Sequence, residues 1–129
     1  MEDCIFCKIV RGEVPCEKIY EDSDFLAFMD ISPVSKGHSL VMPKNHIRWM
    51  KDSPDKLISD IFILTKNLMQ KMQKNLSCDY VQLSVMGEEI NHFHIHLIPT
   101  FFNKKLAKWD KTTYESNIEM QDYAKKIRE

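Results

Sequence analysis

Three imidazoles stand at every second position in His92-Phe93-His94-Ile95-His96-Leu97-Ile98-Pro99, and the chain has only five histidines in all. Side chains of an extended chain alternate between two faces. A strand over Asn91 to Ile98 therefore puts His92, His94 and His96 on one face and Phe93, Ile95 and Leu97 against a core. Pro99, which has no N–H to give, is expected to end the pairing. A helix would turn His94 away from the other two and scatter the apolar residues. Imidazoles gathered on one face can move protons, hold a metal or attack an electrophile near neutral pH.

A second group is Cys4-Ile5-Phe6-Cys7. A Cys-x2-Cys pair is half a zinc site, a redox pair or a coincidence. A redox pair normally has a turn-forming residue between its thiols, which Ile-Phe does not supply. A zinc site needs two further ligands from distant parts of the chain, because no second Cys-x2-Cys exists. Cys16 and Cys78 read as ordinary buried or half-buried thiols.

With 129 residues, 43% of them apolar and 29% charged, the chain reads as one domain over 1–129, with a core over 4–100 and an extension over 101–129. A net charge of −1 with scattered basic residues speaks against nucleic-acid binding. No apolar run is long enough for a membrane span, and Met-Glu-Asp-Cys lacks a signal peptide's regions, so a cytoplasmic protein is expected.

The elements that position these groups follow in order. Cys4 to Arg11 is a short helix or turn, and Gly12 to Pro15 a turn. Strands are expected at Glu17–Glu21, Phe25–Asp30, His38–Met42 and Tyr80–Val85, the first two joined by a polar hairpin. Ser53-Pro54-Asp55 reads as a helix start, with Ser53 as N-cap and Pro54 as the first helical residue. Leu57, Ile58, Ile61, Phe62, Leu64, Leu68, Met69, Met72 and Leu76 carry helical periodicity onward. A charged C-terminal helix over Glu115–Arg128 is anchored by Ile118, Met120, Tyr123 and Ile127. The fold class is α+β: an antiparallel sheet of about five strands, one long helix and a C-terminal helix.

Several of these stretches resemble the histidine triad family of nucleotide hydrolases and transferases. His-x-His-x-His with apolar residues between is its signature. Cys4-Ile5-Phe6-Cys7-Lys8-Ile9 is similar to its bacterial-type opening, Phe25 to Pro33 to its nucleoside-pocket strand, and Gly37 to His46 to the segment bearing two further histidines. The resemblance implies hydrolysis at the α-phosphate of purine nucleoside phosphoramidates or dinucleoside polyphosphates through a nucleotidyl-histidine intermediate. It implies His94 as the nucleophile, its second ring nitrogen held by a main-chain carbonyl. His96 would hydrogen-bond the phosphate, and His38 would border the same site. Asp30 would take the ribose hydroxyls, and Phe6, Ile9, Phe28 and Ile31 would line the base pocket. Cys4, Cys7, His46 and His92 would hold a structural Zn2+. The partner is a purine nucleotide conjugate, and a homodimer is implied.

The chain departs from the family ahead of the triad. Ser84-Val85-Met86-Gly87-Glu88-Glu89-Ile90-Asn91 is shortened, with Glu88 where a Gln is usual and Ser84 as a partial substitute for the missing amide donors. Thr100 replaces the usual Arg. A carboxylate beside a phosphate repels it unless it turns outward or pairs with a cation. The rival reading is a non-catalytic nucleotide-binding regulatory protein whose phosphate loop no longer supports turnover. A zinc-stabilised nucleic-acid module is a weaker rival, given the near-neutral charge.

Overall fold

A computed structural model describes residues 3–104 and 110–129. Helix α1 spans Ile5–Val10, followed by strands β1 (Lys18–Glu21), β2 (Phe25–Met29) and β3 (Ser39–Pro43). The long helix α2 (Asp55–Leu76), strands β4 (Tyr80–Val85) and β5 (Ile95–Thr100), and helix α3 (Asn117–Arg128) complete the chain. The five strands form one antiparallel sheet in the order β1-β2-β3-β5-β4.

The sheet separates two apolar layers. On one face α2 places Ile61, Thr65, Leu68 and Met72, three or four residues apart, inward. Ile61, Leu68 and Met72 share a cluster with Val41, Phe93, Ile95 and Leu97 and with Ala124 and Ile127 of α3. On the other face α1 brings Cys4, Phe6, Cys7 and Ile9 against Leu26, Phe28, Leu40 and Met42. The central strands β2 and β3 are buried throughout because they are covered on both sides.

Four local expectations are corrected. The triad strand begins at Ile95 rather than Asn91. Ahead of it, Phe93 donates its N–H to Ile47 O at 2.7 Å, outside the sheet, so His92 to His94 precede the paired strand. Pro99 does not end the pairing, for β5 runs on to Thr100 against β4. β3 borders β5 only as far as Leu97, so Pro99 lies where the sheet is paired on one side alone and a missing N–H is tolerated. Pro54, not Ser53, is the N-cap of α2, and the Ser53 hydroxyl donates to Trp49 O instead. In α3, Ile118 is 69% exposed and anchors nothing, while Ala124 joins Ile127 as the buried contact.

Gly37 is the turn residue that sets up the site. Its φ of +98° favours glycine, and a Cβ there would stand 2.7 Å from Leu76 Cδ1 and 3.1 Å from Pro99 Cγ. The chain therefore reverses tightly between Asp30 and His38, and Asp30 N–H donates to His38 O at 2.9 Å.

Candidate active site and metal centre

The five histidines gather at one end of the α1 face. His92, fully buried, turns Nδ1 toward Cys4 Sγ at 3.5 Å and Cys7 Sγ at 3.6 Å, and His46 Nδ1 lies 3.2 Å from Cys7 Sγ. All four donor atoms lie within 4.8 Å of one another. Zinc–sulfur bonds of about 2.3 Å and zinc–nitrogen bonds of about 2.0–2.1 Å at tetrahedral angles require S···N edges of about 3.5 Å. The observed edges fit. His92 Nε2–H donates to Pro43 O at 2.7 Å, which fixes its tautomer and leaves Nδ1 with a lone pair for a metal. Burial and the neighbouring Cys4 thiol hold Cys7 above the ordinary thiol range, a penalty that a bound cation reverses.

The other three imidazoles form a chain whose protons can be assigned from its ends. Val34 N–H is an obligatory donor, and it meets His38 Nδ1 at 3.0 Å. His38 therefore carries its proton on Nε2, which lies 2.9 Å from His96 Nδ1. His96 in turn carries its proton on Nε2, 3.1 Å from His94 Nε2. From the far end, His92 O can only accept, and it takes His94 Nδ1–H at 2.7 Å. The two ends agree. All three rings are neutral, and the lone pair of His94 Nε2 points toward the donor on His96.

Electrostatics support the neutral forms. Burial pushes His38 down to about 4, against a partial counter-effect from Asp30. Burial, with the neighbouring His94 and His38, pushes His96 down to about 3. Burial also lowers His94, although the His92 carbonyl favours its protonated form. Asp30, His38 and His96 are a second group with metal-type donors. The Val34 N–H bars that use, since a metal on His38 Nε2 would need a proton on Nδ1, where a donor already points.

His94 and His96 open onto a cleft of about 370 Å³, a size suited to a small organic ligand. Its apolar lining includes Phe6, Ile9, Val14, Phe28, Leu40 and Ile90, and its polar lining Asp30, Glu88, Glu89, Lys111 and the two histidines. Phe6 stands edge-to-face with His94, centroids 5.0 Å apart, and with Phe28 at 5.5 Å. Asp30 sits at the β2 end, where Oδ1 accepts Ser32 N–H at 2.9 Å and Oδ2 lies 3.6 Å from His38 Nε2.

Residues 11–103 match the HIT domain family model. The chain belongs to the HIT family. Its relatives include an uncharacterized HIT-like protein from Methanocaldococcus jannaschii, 34% identical over 97% of this chain and 98% of its own length. An adenosine 5'-monophosphoramidase from Schizosaccharomyces pombe is 40% identical over 74% of this chain and 73% of its own. Among solved structures, a zinc-bound histidine triad family protein from Mycobacterium smegmatis is similar with a TM-score of 0.88 at 26% identity, covering 98% of this chain and 91% of that one. The five-stranded antiparallel sheet with its helices is thus the HIT fold.

Most of the residues expected from the sequence of this HIT protein meet at the cleft. Phe6, Ile9, Phe28, Asp30, His94 and His96 line it, and Ile31, 73% exposed, stands at its rim. His38 is buried behind the cleft wall, in contact with His96 and close to Asp30, which both line it. Cys4, Cys7, His46 and His92 come together as a donor set that could hold a metal, and the two cysteines precede the matched stretch. Ser84 is half-buried and pairs with His96 across β4 and β5, just outside the residues that line the cleft. Thr100 is buried at the far end of β5, where it donates to Ile98 O, remote from the role of the arginine it replaces.

Sequence reasoning missed Lys111, Val34 and Pro43. Lys111 is one of 18 basic residues and sits in a stretch with no periodicity. Val34 and Pro43 act through main-chain atoms, which leave no trace in side-chain types.

Proposed function

We propose that this HIT protein is a nucleotide hydrolase acting at the α-phosphate of purine nucleoside phosphoramidates or dinucleoside polyphosphates. The observation that carries this reading is the 2.7 Å bond from His94 Nδ1–H to His92 O, which leaves Nε2 as an unprotonated nucleophile at the wall of a cleft. The name of the S. pombe relative, an adenosine 5'-monophosphoramidase, supports the same class of reaction.

In the proposed step, His94 Nε2 attacks phosphorus and the P–N or P–O bond to the leaving group breaks. The departing atom keeps the electron pair and takes up one proton from solvent. The nucleotidyl group then sits on a His94 imidazolium whose Nδ1–H remains on His92 O. Water attacks phosphorus from the side the leaving group vacated, the P–N bond to His94 breaks, and one proton returns to solvent. When a phosphate oxygen enters, it replaces His94 Nε2 as acceptor of the His96 N–H, freeing the lone pair for attack and stabilising the developing charge. His38 keeps His96 in the tautomer that can donate. Asp30 Oδ2 takes the ribose hydroxyls, and Phe6, Ile9, Phe28 and Ile31 hold the base.

Cys4, Cys7, His46 and His92 would hold Zn2+, and four protein ligands make it a closed structural site. When bound, it supplies rigidity and counter-charge for the two thiolates. We further propose a homodimer through α2 and the free edge of β4, where Tyr80, Leu83 and Val85 are exposed on an edge strand. A cytoplasmic location keeps the thiols reduced.

The test is release of AMP from an adenosine 5'-phosphoramidate by the purified protein and its His94→Ala variant. Turnover that disappears with His94 supports the reading. Binding of the substrate with no turnover by the unsubstituted protein moves the reading to a non-catalytic nucleotide-binding protein, with the carboxylates Glu88 and Glu89 at the cleft as its cause.

A further inference from the structure

The cleft has a charged mouth that the chemistry at His94 does not use. Glu88 and Glu89 from the β4–β5 connection and Lys111 from the segment ahead of α3 form its wall. Lys111 Nζ lies 3.3 Å from Glu89 Oε2, and both side chains are well exposed, at 44% and 77%. Lys111 is carried on an anchored backbone. Thr112 next to it donates both N–H, at 2.7 Å, and its hydroxyl, at 2.8 Å, to Pro33 O, and Tyr114 Oη accepts Gly37 N–H at 2.9 Å. The Lys36–Glu119 ion pair at 2.8 Å adds a third tie. The segment therefore clamps the Asp30–His38 connection and fixes a cation over the histidines at the same time. The charge of Lys111 reaches His38 and His96, where it opposes protonation.

In the reading above, the cleft that holds the reacting phosphorus also presents one cation and two carboxylates to a departing group. A polyphosphate chain would meet two like charges for each opposite one. A leaving amine that carries a single carboxylate, as an N-linked amino acid does, can place that carboxylate on Lys111, and once the P–N bond has broken its nitrogen takes up protons and becomes an ammonium that the two glutamates match. Exposed ion pairs are worth little, so an incoming carboxylate displaces Glu89 readily. Resting on the hydrolase reading above, we propose that Lys111 determines leaving-group specificity by binding a carboxylate on the departing amine in place of Glu89.

The test uses two adenosine 5'-phosphoramidates, one N-linked to glycine and the other to glycinamide, which differ by one charge and scarcely in size. Calorimetry on the His94→Ala protein measures their binding without turnover. The glycine compound should bind about two- to fivefold more tightly. Adding Lys111→Ala should erase that preference, Lys111→Glu should reverse it, and Lys111→Arg should keep it. Equal binding of the two compounds, or a preference that survives Lys111→Ala, overturns the proposal. Failure of the hydrolase reading is visible separately, as binding of both compounds with no AMP released by the unsubstituted protein. If neither compound binds, the nucleotide reading falls and this proposal falls with it.

Discussion

At one end of the triad, His92 gives Nε2–H to a carbonyl and turns Nδ1 toward two thiols and His46. At the other end, His94, His96 and His38 commit their ring nitrogens to one another and to the backbone, from Val34 N–H to His92 O. The first cluster converges on a point with lone pairs and thiols only, a donor set suited to a cation. The second is closed in its own hydrogen bonds, and its one reactive lone pair is exchanged with a ligand rather than lost to one. His92 belongs to both, with its side chain among the metal-type donors and its carbonyl on His94 Nδ1–H. The same residue type thus serves two chemistries, and the difference lies in what the second ring nitrogen touches.

Four outcomes would break or sharpen this comparison. The largest effect is expected at His94, where replacement by Ala should lower turnover at least about 10⁴-fold, since nothing else in the cleft offers an unprotonated nitrogen to phosphorus. Melting by circular dichroism should change little beside that loss. A variant that retained a tenth of the activity would place the nucleophile elsewhere.

Next in size is the metal cluster. Cys7→Ser should abolish stoichiometric zinc, read by elemental mass spectrometry, and destabilise the fold by about 4 kcal/mol or more. Below its lowered Tm the variant should keep part of its activity, because the metal acts on His94 only through the position of the His92 carbonyl. Unchanged metal content and Tm would remove the cluster from the account.

His38→Phe, close in shape, should leave Val34 N–H without its partner and His96 Nδ1 without its donor. A buried unsatisfied donor costs about 1–3 kcal/mol, measurable by urea unfolding. The turnover deficit should lie mainly in kcat, because His38 works through His96. A deficit confined to KM would contradict the chain.

A last outcome concerns the pH dependence of stability. His38 near 4 and His96 near 3 in the folded protein compare with about 6.5 in an unfolded chain. Between these limits the unfolded state binds more protons, so stability rises with pH. This contribution is fully present above about 6.5 and is lost as pH falls through 4 toward 3. Urea midpoints from pH 7 to 4.5 should decline, and the slope should be shallower in His38→Phe. A flat profile would mean that the imidazoles are not held neutral.

Much of this arrangement was legible in the residues. The alternation of His92, His94 and His96 with Phe93, Ile95 and Leu97 correctly separated site from core, because period two belongs to any extended backbone and not only to a paired one. The strand boundary was not legible, since Phe93 N–H goes to Ile47 O, a partner 46 residues earlier whose position only the folded chain provides. The cap of α2 was misplaced because Ser53 finds Trp49 O instead of the helix N-terminus. Asp30 and His38 could be marked by their family-like surroundings, but their approach depends on the Gly37 turn and on Tyr114, which holds it from beyond the recognised motifs. Lys111 reached the cleft by the same C-terminal tie. Side-chain patterns carried the sheet and the histidines. Main-chain donors, and a segment without periodicity, decided how the histidines share their protons and what faces the leaving group.

The central claim is that His94 Nε2 is the atom that bonds to phosphorus. The most direct measurement is intact mass spectrometry, under conditions that avoid acid, of protein mixed briefly with an adenosine 5'-phosphoramidate. The account predicts an adenylyl adduct on His94 that forms and decays with turnover and is missing from His94→Ala. AMP release without any adduct, or an adduct on another residue, would contradict it.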